Sequence, residues 1–125
     1  MDHVIRKPPP DAPDDVIVQL CADVAPYLVR LSKESSARWL LDRAEEIHRL
    51  EDPHQVTAVR ADIAAFFRRG PAQPLDLVIQ HDDATADYEA TDEYLAIGVR
   101  LLELTWPSLE YERRRRGRLG RFLTR

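Results

Sequence analysis

The spacing of apolar residues along the chain predicts helices. From Asp14 onward, valine, isoleucine and leucine recur every three or four residues, which is the period of one helical face. Asp14 or Asp15 supplies the N-cap of this first helix. Pro26 predicts a kink or a break within it, because proline lacks the backbone N–H that the helix needs. A second helix is predicted to follow Ser35 and Ser36, which offer the next N-cap.

The third helix has the clearest start signal in the chain. Asp52 is suited to cap it, and Pro53 to occupy its first position, where the missing N–H costs nothing. Gly70 supplies its C-terminal stop. Large aromatic residues on the apolar faces are predicted to fill the centre of the core: Trp39, Phe66, Phe67, Tyr94 and Trp106.

The pattern changes after Gly70. Residues 75–79 form a short apolar run rich in β-prone side chains, which predicts an extended segment but not a sheet. A further helix is predicted to begin between residues 85 and 91 and to end near Pro107, and a last helix to start at Ser108. The sequence therefore predicts an all-α protein, a four- to five-helix bundle with one short extended segment near 75–79.

Length and composition indicate one domain with two appendages. The 125 residues suffice for a helical domain over 14–112, preceded by a proline-rich extended arm (1–13) and followed by a basic C-terminal tail (113–125). No window approaches 18 consecutive apolar residues, so we expect no membrane span. The first residues contain too few apolar positions for a signal peptide, and we expect a cytoplasmic protein. The lone Cys21 excludes an internal disulfide and is predicted to be a small core residue.

The net charge of −4 hides a strong segregation of charge. Residues 113–125 contain seven arginines and no acid, so residues 1–112 carry a net charge of −11. Between Arg69 and Arg100 the chain has seven carboxylates and neither lysine nor arginine. Carboxylates this close repel one another, which lowers stability unless a partner or the tail neutralises them.

This acidic segment is typical of a surface that binds a basic protein. Carboxylates steer the encounter, and interleaved tyrosines supply contact area that loses its water. Two alternatives stay open: a solvated surface that keeps the protein soluble, or a surface onto which the basic tail folds back. The predicted partner-binding residues are Asp76, Asp82, Asp83, Asp87, Tyr88, Glu89, Asp92 and Glu93.

Other residues with catalytic potential form weaker patterns. His81 and Asp82, with His54, are residue types that a metal-dependent phosphohydrolase uses to hold a nucleophilic water. Arg43 and His48 have the R-x4-H spacing of certain helical ribonucleases, but the same spacing recurs by chance immediately afterwards. We predict no catalytic or metal site, and expect no enzyme, no cofactor and no small-molecule substrate.

Part of the chain resembles a group of small, uncharacterised bacterial helical proteins. Their pattern is a tryptophan-bearing helix, a second apolar helix, a glycine-rich turn and a segment similar to N-D-L-V-L. The resemblance covers about residues 28–80, under half of the chain. The matching segments are Ala37–Leu41, Ile47–Leu50, Val59–Phe66, Gly70 and Leu75–Ile79.

In size and acidic character the chain is also similar to the immunity proteins of bacterial toxin systems. This analogy implies a protein-binding module, an immunity or antitoxin-type inhibitor that blocks a basic toxin enzyme through its acidic surface. The alternatives are the metal-dependent phosphohydrolase and a nucleic-acid or membrane adaptor that acts through the arginine tail. The acidic body would repel phosphates, so we do not expect nucleic acid as the partner.

Overall fold

The computed structural model of the chain describes residues 14–69 and 77–123, with the side chains of residue 69 and residues 118–123 outside the description. The predicted arm (1–13) and the first half of the predicted extended segment also lie outside it. The all-α prediction is confirmed, since the described ranges contain helices and no strand. These helices are α1 (Asp14–Arg30), α2 (Glu34–Arg49), α3 (Pro53–Arg69) and α4 (Tyr88–Leu123).

The four helices pack in a ring around one apolar core. α1 lies beside α2 and α4, and α3 lies beside α4 and α2. Each helix turns its apolar stripe inward, and the loop before α4 adds Ile79, which is fully buried. The largest fully buried side chains are Tyr94, Ile17, Leu28, Leu40, Ile47, Ile63, Ile79 and Leu101.

The turn between α1 and α2 is tighter than the sequence indicates. Ser32 has a left-handed backbone with φ of 62°, and the N–H of Lys33 donates to the carbonyl of Leu28 at 2.9 Å. This is the Schellman pattern, in which the chain reverses within two residues and satisfies the last carbonyls of the helix. α2 therefore begins at Glu34, with Lys33 as an N-cap that offers no side-chain hydrogen bond. The prediction that Ser35 or Ser36 caps α2 is wrong.

The two internal prolines do not end their helices. The sequence predicts a kink or a break at Pro26, and the break is wrong because α1 continues through Pro26 to Arg30. α4 runs without interruption through Pro107, and the prediction of two separate helices there is also wrong. An internal proline costs about 3 kcal/mol. The burial of Leu101 and Thr105 before Pro107, and of Ser108 after it, keeps both halves of α4 on the core and offsets this cost.

Two other local predictions are confirmed. Asp52 accepts a hydrogen bond from the N–H of His54 at 3.0 Å, and Pro53 occupies the first position of α3. Cys21 is fully buried, and this burial raises the pKa of its thiol to about 12. The thiol therefore stays protonated and unreactive at neutral pH.

Of the large aromatic residues predicted at the centre, three are buried and two lie at the edge of the core. Phe66, Phe67 and Tyr94 are buried, and Phe66 meets Phe67 edge-on with ring centroids 4.9 Å apart. Trp39 and Trp106 are only half-buried. An arginine side chain lies over each of these rings, Arg43 over Trp39 and Arg68 over Trp106, in cation–π geometry.

Truncating Leu101 to alanine tests the ring of helices around the core. Leu101 is fully buried in α4, so Leu101→Ala is expected to lower the free energy of unfolding by about 2–5 kcal/mol through lost burial and the cavity left behind. Urea unfolding followed by circular dichroism measures this change. The matched control is Leu41→Ala, at a leucine that is 42% exposed, which is expected to stay within about 0.5 kcal/mol of the wild type. Equal losses in the two variants would contradict the burial of Leu101 in the core.

Candidate partner-binding surface

The described part of the acidic segment begins with a loop before α4, which backbone hydrogen bonds close. Gln80 and Ala86 face each other in an antiparallel bridge. The N–H of His81 donates to the carbonyl of Thr85 at 2.8 Å, and the tip of the turn holds Ala84 in a left-handed backbone with φ of 71°. These contacts give the segment a defined shape even though most of its side chains are exposed.

Asp87 is the N-cap of α4 and also its link to α1. One carboxylate oxygen accepts a hydrogen bond from the N–H of Ala90 at 3.1 Å, which satisfies a free donor of the first helical turn. The other accepts one from Arg30 at 2.9 Å, and the same guanidinium donates to the carbonyl of Gln80. His81 Nδ1 lies 3.6 Å from this carboxylate. The hydrogen bond from Ala90, followed by that from Arg30, holds the pKa of Asp87 below its usual value.

Side-chain hydrogen bonds of Asp83 and Thr91 stabilise the loop. The carboxylate of Asp83 accepts hydrogen bonds from the hydroxyl of Thr85 at 2.6 Å and from its N–H at 3.0 Å, and the hydroxyl bond is the main cause of the lowered pKa of Asp83. The Thr91 hydroxyl accepts from the N–H of Ile79 at 3.0 Å and donates to the carbonyl of Asp87 at 2.8 Å. Buried Thr91 thus joins both ends of the loop to α4.

Glu93 is paired across the helix interface. The hydroxyl of Tyr27 in α1 donates a hydrogen bond to its carboxylate, and this bond is the main cause of the raised pKa of Tyr27. The ring of Tyr27 also packs against Tyr94, with centroids 6.3 Å apart. Sequence reasoning missed Arg30 and Tyr27, because both lie in a different helix and no local motif marks them.

The structure thus separates the predicted partner-binding residues into two groups. Asp83, Asp87 and Glu93 form hydrogen bonds within the protein. Among the contacts of the described residues, four exposed members have no partner, and Asp76 lies outside the description. We call these four residues the acidic face: Asp82, Tyr88, Glu89 and Asp92.

The acidic face occupies one end of the molecule. Glu89 and Asp92 are three residues apart in the first turns of α4, so they project from the same side of the helix. Tyr88 stands beside them and is 73% exposed, which makes it the most exposed large hydrophobic residue among those described. Asp82 extends the negative charge onto the preceding turn.

Among the described residues, the arginines at 113–116 do not fold back onto this surface. α4 continues through them, and Arg113 lies about 36 Å from Glu89 along the helix. Arg115 lies 3.3 Å from the buried carboxylate of Glu112, and Arg116 lies 3.8 Å from it. For residues 113–116, the interpretation that the tail neutralises the acidic segment within one molecule is wrong.

The histidines of the phosphohydrolase alternative make separate contacts. Nδ1 of His54 lies 2.9 Å from the hydroxyl of Tyr111, which ties the start of α3 to α4, whereas His81 faces Asp87. Within the described ranges, no three His, Cys, Asp or Glu side chains are grouped so as to hold a metal ion. Nor does any described helix combine the length and the apolar character that crossing a membrane requires.

Removing the Asp87 carboxylate tests whether it holds the loop. Asp87→Ala is expected to lower the melting temperature by several degrees, since it removes both the N-cap of α4 and the partner of Arg30. The control, Asp82→Ala, removes an exposed carboxylate of the same loop and is expected to leave the melting temperature unchanged.

The stability of Asp87→Ala relative to the wild type is also expected to depend on pH. A carboxylate whose pKa is lowered in the folded state stabilises the protein above its unfolded pKa, and this stabilisation is lost as the pH falls through the folded pKa. The difference between wild type and Asp87→Ala is therefore expected at neutral pH and to shrink as the pH falls below the ordinary aspartate value of 3.8. A difference that stays constant across this range would show that the Asp87 charge does not contribute.

The chain matches no protein-family model, no curated protein and no solved structure. The role of the acidic face is therefore inferred from the residues that form it and from those that hold them in place.

Proposed function

We propose that this protein is a binding module, an immunity or antitoxin-type inhibitor whose acidic face docks on a basic toxin enzyme. One observation carries the proposal: four exposed side chains have no partner among the described residues, and they lie on or beside a loop that Arg30 of α1 and Thr91 of α4 hold in place. In the basic cleft of such an enzyme, the carboxylates would take the place of a polyanionic substrate.

The rigidity of the loop supports a role in binding. Ordering flexible side chains and loops on association costs free energy, and a preformed surface avoids much of this cost. Arg30, Thr91 and the Asp83–Thr85 turn fix the backbone on which the acidic face stands. The partner would meet this surface already in its bound shape.

The chemistry of the acidic face determines which partner suits it. Asp82, Glu89 and Asp92 concentrate negative charge at one end of α4, which accelerates the approach of a positively charged protein and makes the association sensitive to salt. Tyr88 supplies a large exposed ring of the kind that dominates binding energy at protein interfaces. Lysine and arginine side chains of the partner would pair with the carboxylates around this ring.

The test compares two variants that change the net charge by the same amount. Asp82→Asn, Glu89→Gln and Asp92→Asn together neutralise the acidic face without touching the carboxylates that hold the loop. The control triple variant neutralises exposed acids of α2 and of the segment after it, namely Asp42→Asn, Glu45→Gln and Glu51→Gln. Each protein is used in pull-downs from the source cell's lysate and from the products of neighbouring genes, at low and at moderate salt.

Wild type and the control variant are expected to retain one basic protein at low salt, and less of it as salt is added. The acidic-face variant is expected to lose most of this binding. With the captured protein purified, wild type is expected to inhibit its enzymatic activity at a one-to-one ratio. Equal capture by the two triple variants would show that the acidic face is not the interface, and binding without inhibition would refute the inhibitor role.

A further inference from the structure

A second surface feature lies away from the acidic face. An open pocket of about 460 Å³ is formed by the start of α2 and the second half of α3. This volume lies within the range of roughly 300–1,000 Å³ that is usual for small-molecule sites. Six residues line it: Ser35, Ser36, Trp39, Asp62, Ala65 and Phe66.

The pocket has a firm aromatic wall. The rings of Trp39 and Phe66 stack with centroids 5.5 Å apart and planes inclined by 28°. Phe66 is 7% exposed and is held from behind by the edge contact with Phe67, so the wall is anchored in the core. Such a wall favours a flat apolar body over a flexible chain.

Asp62 places one carboxylate in this apolar setting. Its nearest described cation is Arg43, whose Nη1 lies 3.8 Å from the Asp62 carboxylate, while Nη2 of the same side chain makes a shorter contact of 2.6 Å with Glu46. No hydrogen bond to the Asp62 carboxylate occurs among the described residues, and its side chain keeps 45% of its exposure. Burial raises the pKa of Asp62, and the positive charge of Arg43 partly opposes this rise.

The two serines add polar groups at the rim. Because α2 begins at Glu34, Ser35 and Ser36 lie within its first turn, and the N-cap position is held by Lys33. Their hydroxyls line the pocket and offer both hydrogen-bond donors and acceptors. A ligand with several N–H groups at one end would find acceptors on the carboxylate and on these hydroxyls.

We propose that this pocket binds a small organic cation with a flat apolar body, of the aromatic amine or amidine class. The apolar body packs on the Trp39–Phe66 wall, and the charged end donates hydrogen bonds to Asp62 with Ser35 and Ser36 alongside. The ligand places a positive charge within hydrogen-bond distance of Asp62, closer than the 3.8 Å that separates this carboxylate from Arg43. The inference is independent of the acidic face and of its partner.

The test uses benzamidine as the cation and benzamide as a neutral molecule of nearly the same shape. Each is titrated into the full-length protein while the indole N–H signals of its two tryptophans are followed by NMR. The Trp39 signal is expected to shift saturably with benzamidine, with an affinity at least about tenfold higher than for benzamide. Trp106 does not line the pocket and is the internal control, so its indole N–H signal is expected not to shift.

Asp62→Asn keeps the shape of the side chain and removes its charge. The affinities of this variant for benzamidine and for benzamide are therefore expected to be nearly equal. The matched control, Asp42→Asn, neutralises an exposed aspartate of α2 and is expected to keep the preference for benzamidine. Equal affinities in the wild type, or the absence of a saturable shift at Trp39, would overturn the proposal. The wild-type comparison decides the question even where Asp62→Asn fails to fold.

Discussion

The arrangement of this protein's surface depends on one carboxylate, that of Asp87. It caps the first turn of α4 and accepts a hydrogen bond from Arg30 at the end of α1, so a single group both starts the longest helix and fixes it against another. Arg30 reaches further, to the carbonyl of Gln80, which holds the loop at its other end. The exposed acids on either side of Asp87 therefore stand on a backbone that two helices define.

Within the acidic segment, some carboxylates form hydrogen bonds inside the protein and others are exposed without a described partner. Asp83, Asp87 and Glu93 accept hydrogen bonds from groups of the protein, and these bonds offset the repulsion that such crowding causes. Asp82 and Asp92 have no such compensation among the described contacts. The exposed subset, rather than the whole segment, is therefore the part that the proposed basic partner would neutralise.

The continuous helix α4 sets the distance between the acidic segment and the arginines that follow residue 112. A separate last helix beginning at Ser108 would have left the arginines free to turn toward the acidic segment. Because the helix continues through Pro107, Arg113 is held far from Glu89, and the arginines find partners such as Glu112 one turn away. Among the described residues, the acidic start of α4 and the arginines near its end consequently lie far apart.

The sequence by itself determined the features that depend on neighbours along the chain. The stripes of apolar residues, the Asp52–Pro53 start of α3 and the beginning of α4 follow from local hydrogen bonding and helical period. Tertiary structure decided the rest. Whether α4 survives Pro107 depends on burial on both sides, and Arg30 meets Asp87 across 57 residues of chain. Such contacts depend on how whole helices pack, and no local pattern records that packing.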